Sequence, residues 1–372
     1  MMRRYGLYII EWMGLIVLLV GHNHVDSWHI FHIMKLLRVF CIVSVGMLLC
    51  SCFSQNDEVV FCDAEYGVEI PLTNPIEDIP FPTSIAVIND SLMVLATEKQ
   101  VYIYNNGVQS IKVGYKGNAQ YEYVMPMIVR SYNDMIYVWC AMTLKFLVYD
   151  TYGVLKDVYH YGEAVADFRV ADSKIFIYNT GRNDKYMVSV YDMAERKATP
   201  VPVLSSAEHK KLILMHSLGP LCVGDDVLTF ASKDGNGVYS YNIADGSISI
   251  GEQFESSSFH VERAGDSDDN WDYIKRNPYL LVLDKSGTDT VILTSEGFYD
   301  EENGHTNTAN RFYSLYLLNE KVCRYVGSFR HTSLGDPALF SVYENQLYFI
   351  THHVSDDSDC YLLRAMDLYR TE

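Results

Sequence analysis

Short runs of mainly apolar and aromatic residues follow one another from about residue 81 to the end of the chain. They are rich in Val, Ile and Tyr, and they are separated by turn residues such as Asn105-Asn106-Gly107. Short runs of these residue types, bounded by turn residues, predict β-strands, and turns of this composition predict hairpins. The first unit contains four such runs, at residues 84–88, 92–95, 100–104 and 110–113.

The same unit then recurs along the chain. Its shared core is a polar turn, an aliphatic and aromatic run such as residues 174–178, a gap, and a run that ends in Tyr-Asp. Units start at about residues 81, 126, 167, 221, 278 and 337, with a spacing of about 41 to 59 residues. This period predicts an all-β fold, a six-bladed β-propeller with four-stranded antiparallel blades. The alternative is a pair of stacked β-sandwiches, which would not repeat Tyr after an aliphatic pair at this spacing.

The segment before the repeat has the pattern of an export signal. Lys35 and Arg38 precede an apolar run at residues 39–50, which is shorter than the roughly 20 residues that a membrane-spanning helix needs. Residues 49–52 resemble a bacterial lipobox, and that resemblance implies cleavage before Cys52 and lipid on its side chain. The alternative is an ordinary signal peptide with an incidental Cys52.

These patterns divide the chain into four parts. They are an over-extended start or long leader (1–33), a lipoprotein signal peptide (34–51), a tether leading into the propeller (52–80) and the propeller itself (81–372). Residues 54–58 are polar and partly acidic; they resemble a tag that directs some Bacteroidetes lipoproteins to the outer membrane surface, and a solvated spacer is the alternative. We expect a lipid-anchored envelope protein of the outer membrane, either periplasmic or surface-exposed.

The net charge limits the classes of binding partner, and the cysteine spacing limits the kinds of cysteine-based site. The formal net charge is −18 at pH 7, and about −20 without residues 1–51. Nucleic-acid binding needs a basic surface, so nucleic acid is excluded as a partner. No two cysteines have the Cys-x-x-Cys spacing of zinc or redox sites. Cys140 and Cys360 lie beside aromatic strand residues and are expected as small buried free thiols, and one disulfide is the alternative. Besides Cys52, the cysteines after the signal segment are Cys62, Cys140, Cys222, Cys323 and Cys360.

One segment carries a family resemblance. Residues 113–123 resemble the "I-G-x-x-G-x-G-P-G-E-Y" turn of six-bladed, TolB-like propeller lipoproteins of Bacteroidetes. The matching residues are Gly114, Gly117, Glu122 and Tyr123, and the departures are Ala119, Gln120 and Tyr121. The resemblance implies the propeller fold and an envelope location. It implies little about activity, because a fold does not fix a function.

The sequence contains no catalytic signature. It lacks a nucleophile elbow, a phosphate-binding loop and a dinucleotide fingerprint, so no catalytic residue and no cofactor is predicted. His352 and His353 are adjacent on a predicted strand and therefore point to opposite faces. No metal site is predicted.

Two functional hypotheses follow. The first is a binding or protein-interaction module whose peptide, glycan or protein ligand meets the long loops around residues 201–217, 253–276 and 298–310. In the second loop, Trp271 and Tyr273 lie among acidic residues, a composition typical of recognition sites. The alternative is a carbohydrate-active hydrolase or lyase that uses carboxylates near the propeller axis. Convergent acidic, basic or His side chains at the axis would favour the enzyme, and an axis lined with Tyr and small residues would favour binding.

Overall fold

The part of the chain that the structure describes consists entirely of strands and their connections. The computed structural model describes residues 68–72, 82–179, 186–204, 219–224, 226–232, 238–250, 279–296, 312–319, 322–330, 339–355 and 358–369. All of them belong to one compact unit, Phe61–Glu372. Cys52, Trp271 and Tyr273 lie outside the described residues, as does the predicted signal segment.

The strands, numbered in chain order, form six antiparallel sheets of four strands each. The first strand, β1 (Val68–Leu72), belongs to the last sheet. Blade 1 contains β2 (Pro82–Val87), β3 (Leu92–Thr97), β4 (Val101–Asn105) and β5 (Val108–Val113). Blade 2 contains β6 (Pro126–Tyr132), β7 (Met135–Cys140), β8 (Lys145–Asp150) and β9 (Leu155–His160). Blade 3 contains β10 (Val165–Ala171), β11 (Lys174–Asn179), β12 (Val188–Asp192) and β13 (Lys197–Pro200).

The remaining strands complete the ring. Blade 4 contains β14 (Leu221–Gly224), β15 (Val227–Ala231), β16 (Val238–Asn242) and β17 (Ile248–Ile250). Blade 5 contains β18 (Tyr279–Ser286), β19 (Asp289–Glu296), β20 (Phe312–Asn319) and β21 (Val322–Arg330). Blade 6 contains β22 (Phe340–Tyr343), β23 (Gln346–Ser355), β24 (Ser358–Asp367) and, as its outer strand, β1. The pairing of β1 with β24 joins the start of the propeller to its end, with Val68 opposite Ala365.

The first strand of each blade is the innermost. These strands, β2, β6, β10, β14, β18 and β22, contact one another in a closed circle, so they surround the axis of the ring. Six apolar clusters fill the spaces between consecutive blades, including the space between blades 6 and 1. Because every sheet is covered on both faces, inner and middle strands such as β2 and β7 are buried along nearly their whole length. The outer strand β13 is exposed at every residue.

This architecture confirms the prediction of an all-β, six-bladed propeller with four-stranded antiparallel blades. Three strands were not foreseen in the sequence pattern. β13 is polar and exposed, β21 mixes charged residues with apolar ones, and β1 lies in the segment that was expected to serve as a tether.

Candidate functional site

Four charged side chains from the inner strands meet at the centre of the ring. Arg130 belongs to β6, Asp167 and Arg169 belong to β10, and Asp284 belongs to β18. They are joined by ion pairs and are called the axial charge cluster below. The cluster therefore links blades 2, 3 and 5 at a place where the neighbouring strand residues are largely apolar and buried.

Asp167 is the shared acceptor of the cluster. Its Oδ1 lies 2.6 Å from Nη2 of Arg130, and its Oδ2 lies 3.0 Å from Nη1 of Arg169. The backbone N–H of Phe168 also donates to Oδ1, at 2.7 Å. The Asp167 side chain is only 4% exposed. Both of its oxygens are thus occupied, as buried carboxylates require.

Arg130 extends the network to blade 1. Its Nη1 donates to Oγ of Ser84 at 3.1 Å and to the carbonyl oxygen of Val129 at 2.7 Å. Within the described part of the chain, Nε of Arg130 is buried and has no hydrogen-bond partner. Burial lowers the pKa of the Arg130 guanidinium, and the charge of Asp167 opposes that effect.

Arg169 and Asp284 form the loosest contact of the cluster. Nη2 of Arg169 lies 3.4 Å from Oδ2 of Asp284, whose side chain is 25% exposed. Burial opposes the charge of Arg169, but Asp167 and Asp284 outweigh it and raise the pKa of its guanidinium. Burial raises the pKa of the Asp284 carboxyl, although Arg169 acts in the opposite direction. The backbone N–H of Lys285 holds the other oxygen, Oδ1, at 2.9 Å.

Blade 4 contributes small residues beside the cluster. A Cβ added to Gly219 would lie 2.7 Å from Cβ of Asp167 and equally close to Cβ of Tyr178. A glycine is therefore required where blade 4 packs directly against Asp167. Cys222 on β14 is fully buried, and burial, followed by the charge of Asp284, raises the pKa of its thiol to about 12.

The turn with the family resemblance connects β5 to β6, and its matching residues have clear packing roles. Gly114 has φ +67°, and a Cβ there would lie 2.5 Å from the hydroxyl oxygen of Tyr149. A Cβ at Gly117 would overlap the carboxylate of Glu122, whose Oε2 accepts the N–H of Ala119 at 3.0 Å. The buried Tyr123 donates its hydroxyl to the carbonyl oxygen of Val113 at 2.9 Å.

A buried lysine that sequence analysis did not single out fixes the same turn. Lys145, the first residue of β8, is 2% exposed. Its Nζ donates to the carbonyl oxygens of Ala119 at 2.8 Å and Gln120 at 3.0 Å. Burial lowers the pKa of the Lys145 ammonium group, while nearby Cys140 and Glu122 raise it. Ala119 and Gln120, which depart from the family pattern, thus supply the carbonyl groups that hold this cation.

The remaining sequence-predicted residues are only partly described. Cys140 is buried and carries a free thiol, as expected, and Cys222 is likewise buried and free. Cys62 lies outside the described residues, and nothing is described of the side chains of Cys323 and Cys360. Within the described ranges, no group of three or more His, Cys, Asp and Glu side chains could hold a metal ion. The same ranges contain no helix long and apolar enough to cross a membrane.

The axial charge cluster was missed as a site, although the sequence carried a signal for it. Arg130 and Asp284 end the apolar runs at residues 127–130 and 281–284, and Asp167 and Arg169 alternate with apolar residues at 167–170, each near the start of a repeat unit. A charge in the buried first strand of a blade must find a partner at the axis. Comparing the same strand across all units would have picked out these residues.

Similarity to known proteins is confined to structure. No protein-family model matches the chain, and no curated protein matches it. A member of the DUF4221 family from Bacteroides vulgatus has a TM-score of 0.57 at 12% identity, covering 81% of this chain and 96% of the other. A protein of Bacteroides fragilis that is described as exported has a TM-score of 0.55 at 11% identity, with coverage of 81% and 94%.

A third similar structure, that of U3-55K, has a TM-score of 0.52 at 9% identity, covering 82% of this chain and 100% of the other. At such identities the similarity shows the propeller fold alone.

Proposed function

We propose that this chain is a TolB-like propeller lipoprotein of the bacterial envelope that binds a ligand at its axis without transforming it. The proposed anchor is lipid on Cys52, which follows the export signal at residues 34–51. Structural similarity to an exported protein of Bacteroides fragilis supports a place outside the cytoplasm. The lipobox resemblance and the acidic tag at residues 54–58 support the outer membrane.

The pairing within the axial charge cluster is the observation that carries the binding function. A general base needs an oxygen lone pair that points at the substrate, and a general acid needs a proton that it can release. Both oxygens of Asp167 already accept hydrogen bonds from Arg130, Arg169 and a backbone N–H. A set of paired, partly exposed charges in a ring of buried strands is suited to recognition.

A second candidate function is the carbohydrate-active hydrolase or lyase, because acidic and basic side chains converge at the axis, the arrangement that the sequence analysis expected of an enzyme. Asp284 is the more accessible of the two axial acids, and burial raises its pKa, as is required of a proton donor. Its partner Asp167, however, is occupied by two guanidinium groups. Hydrolysis or elimination of envelope glycans by the purified protein, abolished in Asp284→Asn, would establish this candidate and remove the binding-only function.

Ligand capture tests the binding function directly. The full chain is immobilised, exposed to solubilised envelope material and to a glycan array, and compared with Arg169→Gln. The matched control is Arg196→Gln, because Arg196 is an exposed arginine whose guanidinium pairs with Asp157 at 3.1 Å. We expect capture by the wild type and the control, and loss of capture in Arg169→Gln. Equal capture by all three proteins would show that the ligand does not bind at the axis. The binding site would then be sought in the loops predicted from the sequence, such as the one expected around Trp271 and Tyr273.

Fractionation tests the location. Lipid on Cys52 would bury several acyl chains, each CH₂ contributing about 0.8 kcal/mol, so attachment to the membrane should be stable. We expect Cys52→Ala to leave the membrane fraction or to remain unprocessed. A variant that stays in the membrane fraction with the normal mature mass would contradict the lipid anchor.

A further inference from the structure

The contact between Arg169 and Asp284 is the point at which the axial charge cluster can open. Ion pairs between a guanidinium and a carboxylate are usually about 2.7 to 2.9 Å long, and this one is 3.4 Å. Asp284 is also the most exposed member of the cluster. Separating these two side chains therefore costs less than separating either arginine from Asp167.

We infer that a small ligand binds through its carboxylate group to Nη2 of Arg169, in the place that Asp284 occupies in the structure. This inference rests on the proposed binding function of the axis. Asp284 would be an internal competitor, a carboxylate of the protein itself that holds the site until a ligand carboxylate replaces it.

Charge balance within the cluster favours an anion. When Asp284 withdraws, two guanidinium groups face one carboxylate, that of Asp167. The unbalanced charge is a single positive one, which a monocarboxylate neutralises. A cation would add to it, and a neutral ligand would leave it buried without a partner, which is costly.

A guanidinium binds carboxylates and phosphates alike, and the single unbalanced positive charge favours a monocarboxylate over phosphate, which carries more negative charge at pH 7. A guanidinium presents its N–H groups in a planar fork that matches the two oxygens of a carboxylate. Nη1 of Arg169 is held by Asp167 at 3.0 Å and by the carbonyl oxygen of Phe168 at 3.0 Å. These bonds fix the plane of the group, so its Nη2 side is oriented before a ligand arrives.

The acidic surface makes the site selective. Elsewhere the chain carries a strong negative excess, with a net charge of −18, so anions are not drawn to the molecule as a whole. Only an anion that can form a close ion pair with the guanidinium of Arg169 would bind.

Isothermal calorimetry with matched probes tests the inference. Galacturonate and galactose differ in a carboxylate at one carbon, and acetate and inorganic phosphate complete the set. We expect galacturonate and acetate to bind, and galactose and phosphate to bind at least about tenfold more weakly, a difference of about 1.4 kcal/mol.

Two substitutions should change the affinity for galacturonate in opposite directions. Arg169→Gln should weaken galacturonate binding by about tenfold or more, and Asp284→Asn should strengthen it several-fold, because the internal competitor loses its charge. Arg196→Gln should bind as the wild type does. If Arg169→Gln fails to fold, as judged by circular dichroism, Arg169→Lys replaces it, since the ammonium group keeps the charge but loses the planar fork.

The failures are distinguishable. Weaker galacturonate binding in Asp284→Asn would overturn the inference, as would equal binding of galacturonate and galactose, tighter binding of phosphate, or no Arg169-dependent binding of acetate or galacturonate at millimolar concentration. If envelope material is still captured in an Arg169-dependent way, the binding function stands and only the ligand class is wrong. If Arg169→Gln captures envelope material as the wild type does, the ligand does not bind at the axis.

Discussion

Two buried cationic sites in the ring are built in different ways. At the axis, Arg169 is held by two carboxylates, those of Asp167 and Asp284, and 14% of its side chain is exposed. In blade 2, the ammonium of Lys145 is held by two backbone carbonyl oxygens of the turn between β5 and β6, and the residue is almost completely buried.

The difference lies in what a ligand could replace. The Asp284 carboxylate can turn away from Arg169 by side-chain rotation, giving up its hydrogen bond from the Lys285 N–H but moving no backbone atom, so this contact can be exchanged for a contact with a ligand. The carbonyl groups around Lys145 belong to the chain of Ala119 and Gln120, so this contact breaks only if the turn moves. A buried cation with exchangeable, partly exposed partners indicates binding, whereas one held by main-chain oxygens indicates a structural role.

The largest effect on stability is expected from a substitution in the axial charge cluster. Asp167→Ala removes the carboxylate that Arg130 and Arg169 share, and leaves two buried guanidinium groups with one loose partner. We expect the free energy of unfolding to fall by about 3 to 5 kcal/mol, measured by chemical denaturation.

The control for this change is Asp157→Ala, which removes the ion pair between Asp157 and the exposed Arg196. An exposed ion pair contributes only about 0 to 1 kcal/mol. Equal losses in the two variants would show that the axial charge cluster adds nothing to stability beyond an ordinary surface pair.

A packing change next to Asp167 should have the next largest effect. Gly219→Ala places a Cβ against Cβ of Asp167 and against Tyr178, and neither of these atoms can move without the backbone. We expect a loss of about 1 to 3 kcal/mol, with weaker binding of galacturonate because Asp167 is displaced. Gly327→Ala is the matched control, since nothing lies within 4 Å of its added Cβ. Unchanged stability in Gly219→Ala would contradict the close packing at this position.

The number and order of the blades could be predicted from the sequence because strand and turn signals are local. Each repeat unit carries its own apolar and aromatic runs and its own turns within about 60 residues. The closure of the ring could not be predicted in the same way, because β1 pairs with β24 from the opposite end of the propeller. Nor could β13, whose polar residues are exposed and owe their strand conformation to pairing with β12.

The candidate site was harder to predict than the fold. Arg130, Asp167 and Asp284 belong to different blades, and only the circular arrangement of the inner strands brings them together. The turn at residues 113–123 was recognisable because Gly117 and Glu122 act within the turn and Gly114 has the positive φ that favours glycine. Lys145 was not, because its bonds to that turn arise only when β8 packs beside it.

The smallest effect on stability is expected from a substitution of Lys145, the buried cation that is held by backbone carbonyl groups. Lys145→Met keeps a long apolar stem but removes the donor to two carbonyl oxygens of a turn whose residues 118–121 are largely exposed to water. We expect a loss of about 1 to 2 kcal/mol in the free energy of unfolding, and no change in galacturonate binding. The control is Lys156→Met, whose ion pair with Asp150 is solvent-exposed, so that about 0 to 1 kcal/mol should be lost. If Lys145→Met instead leaves stability intact but alters galacturonate binding in calorimetry, the assignment of Lys145 to structure and Arg169 to recognition is wrong.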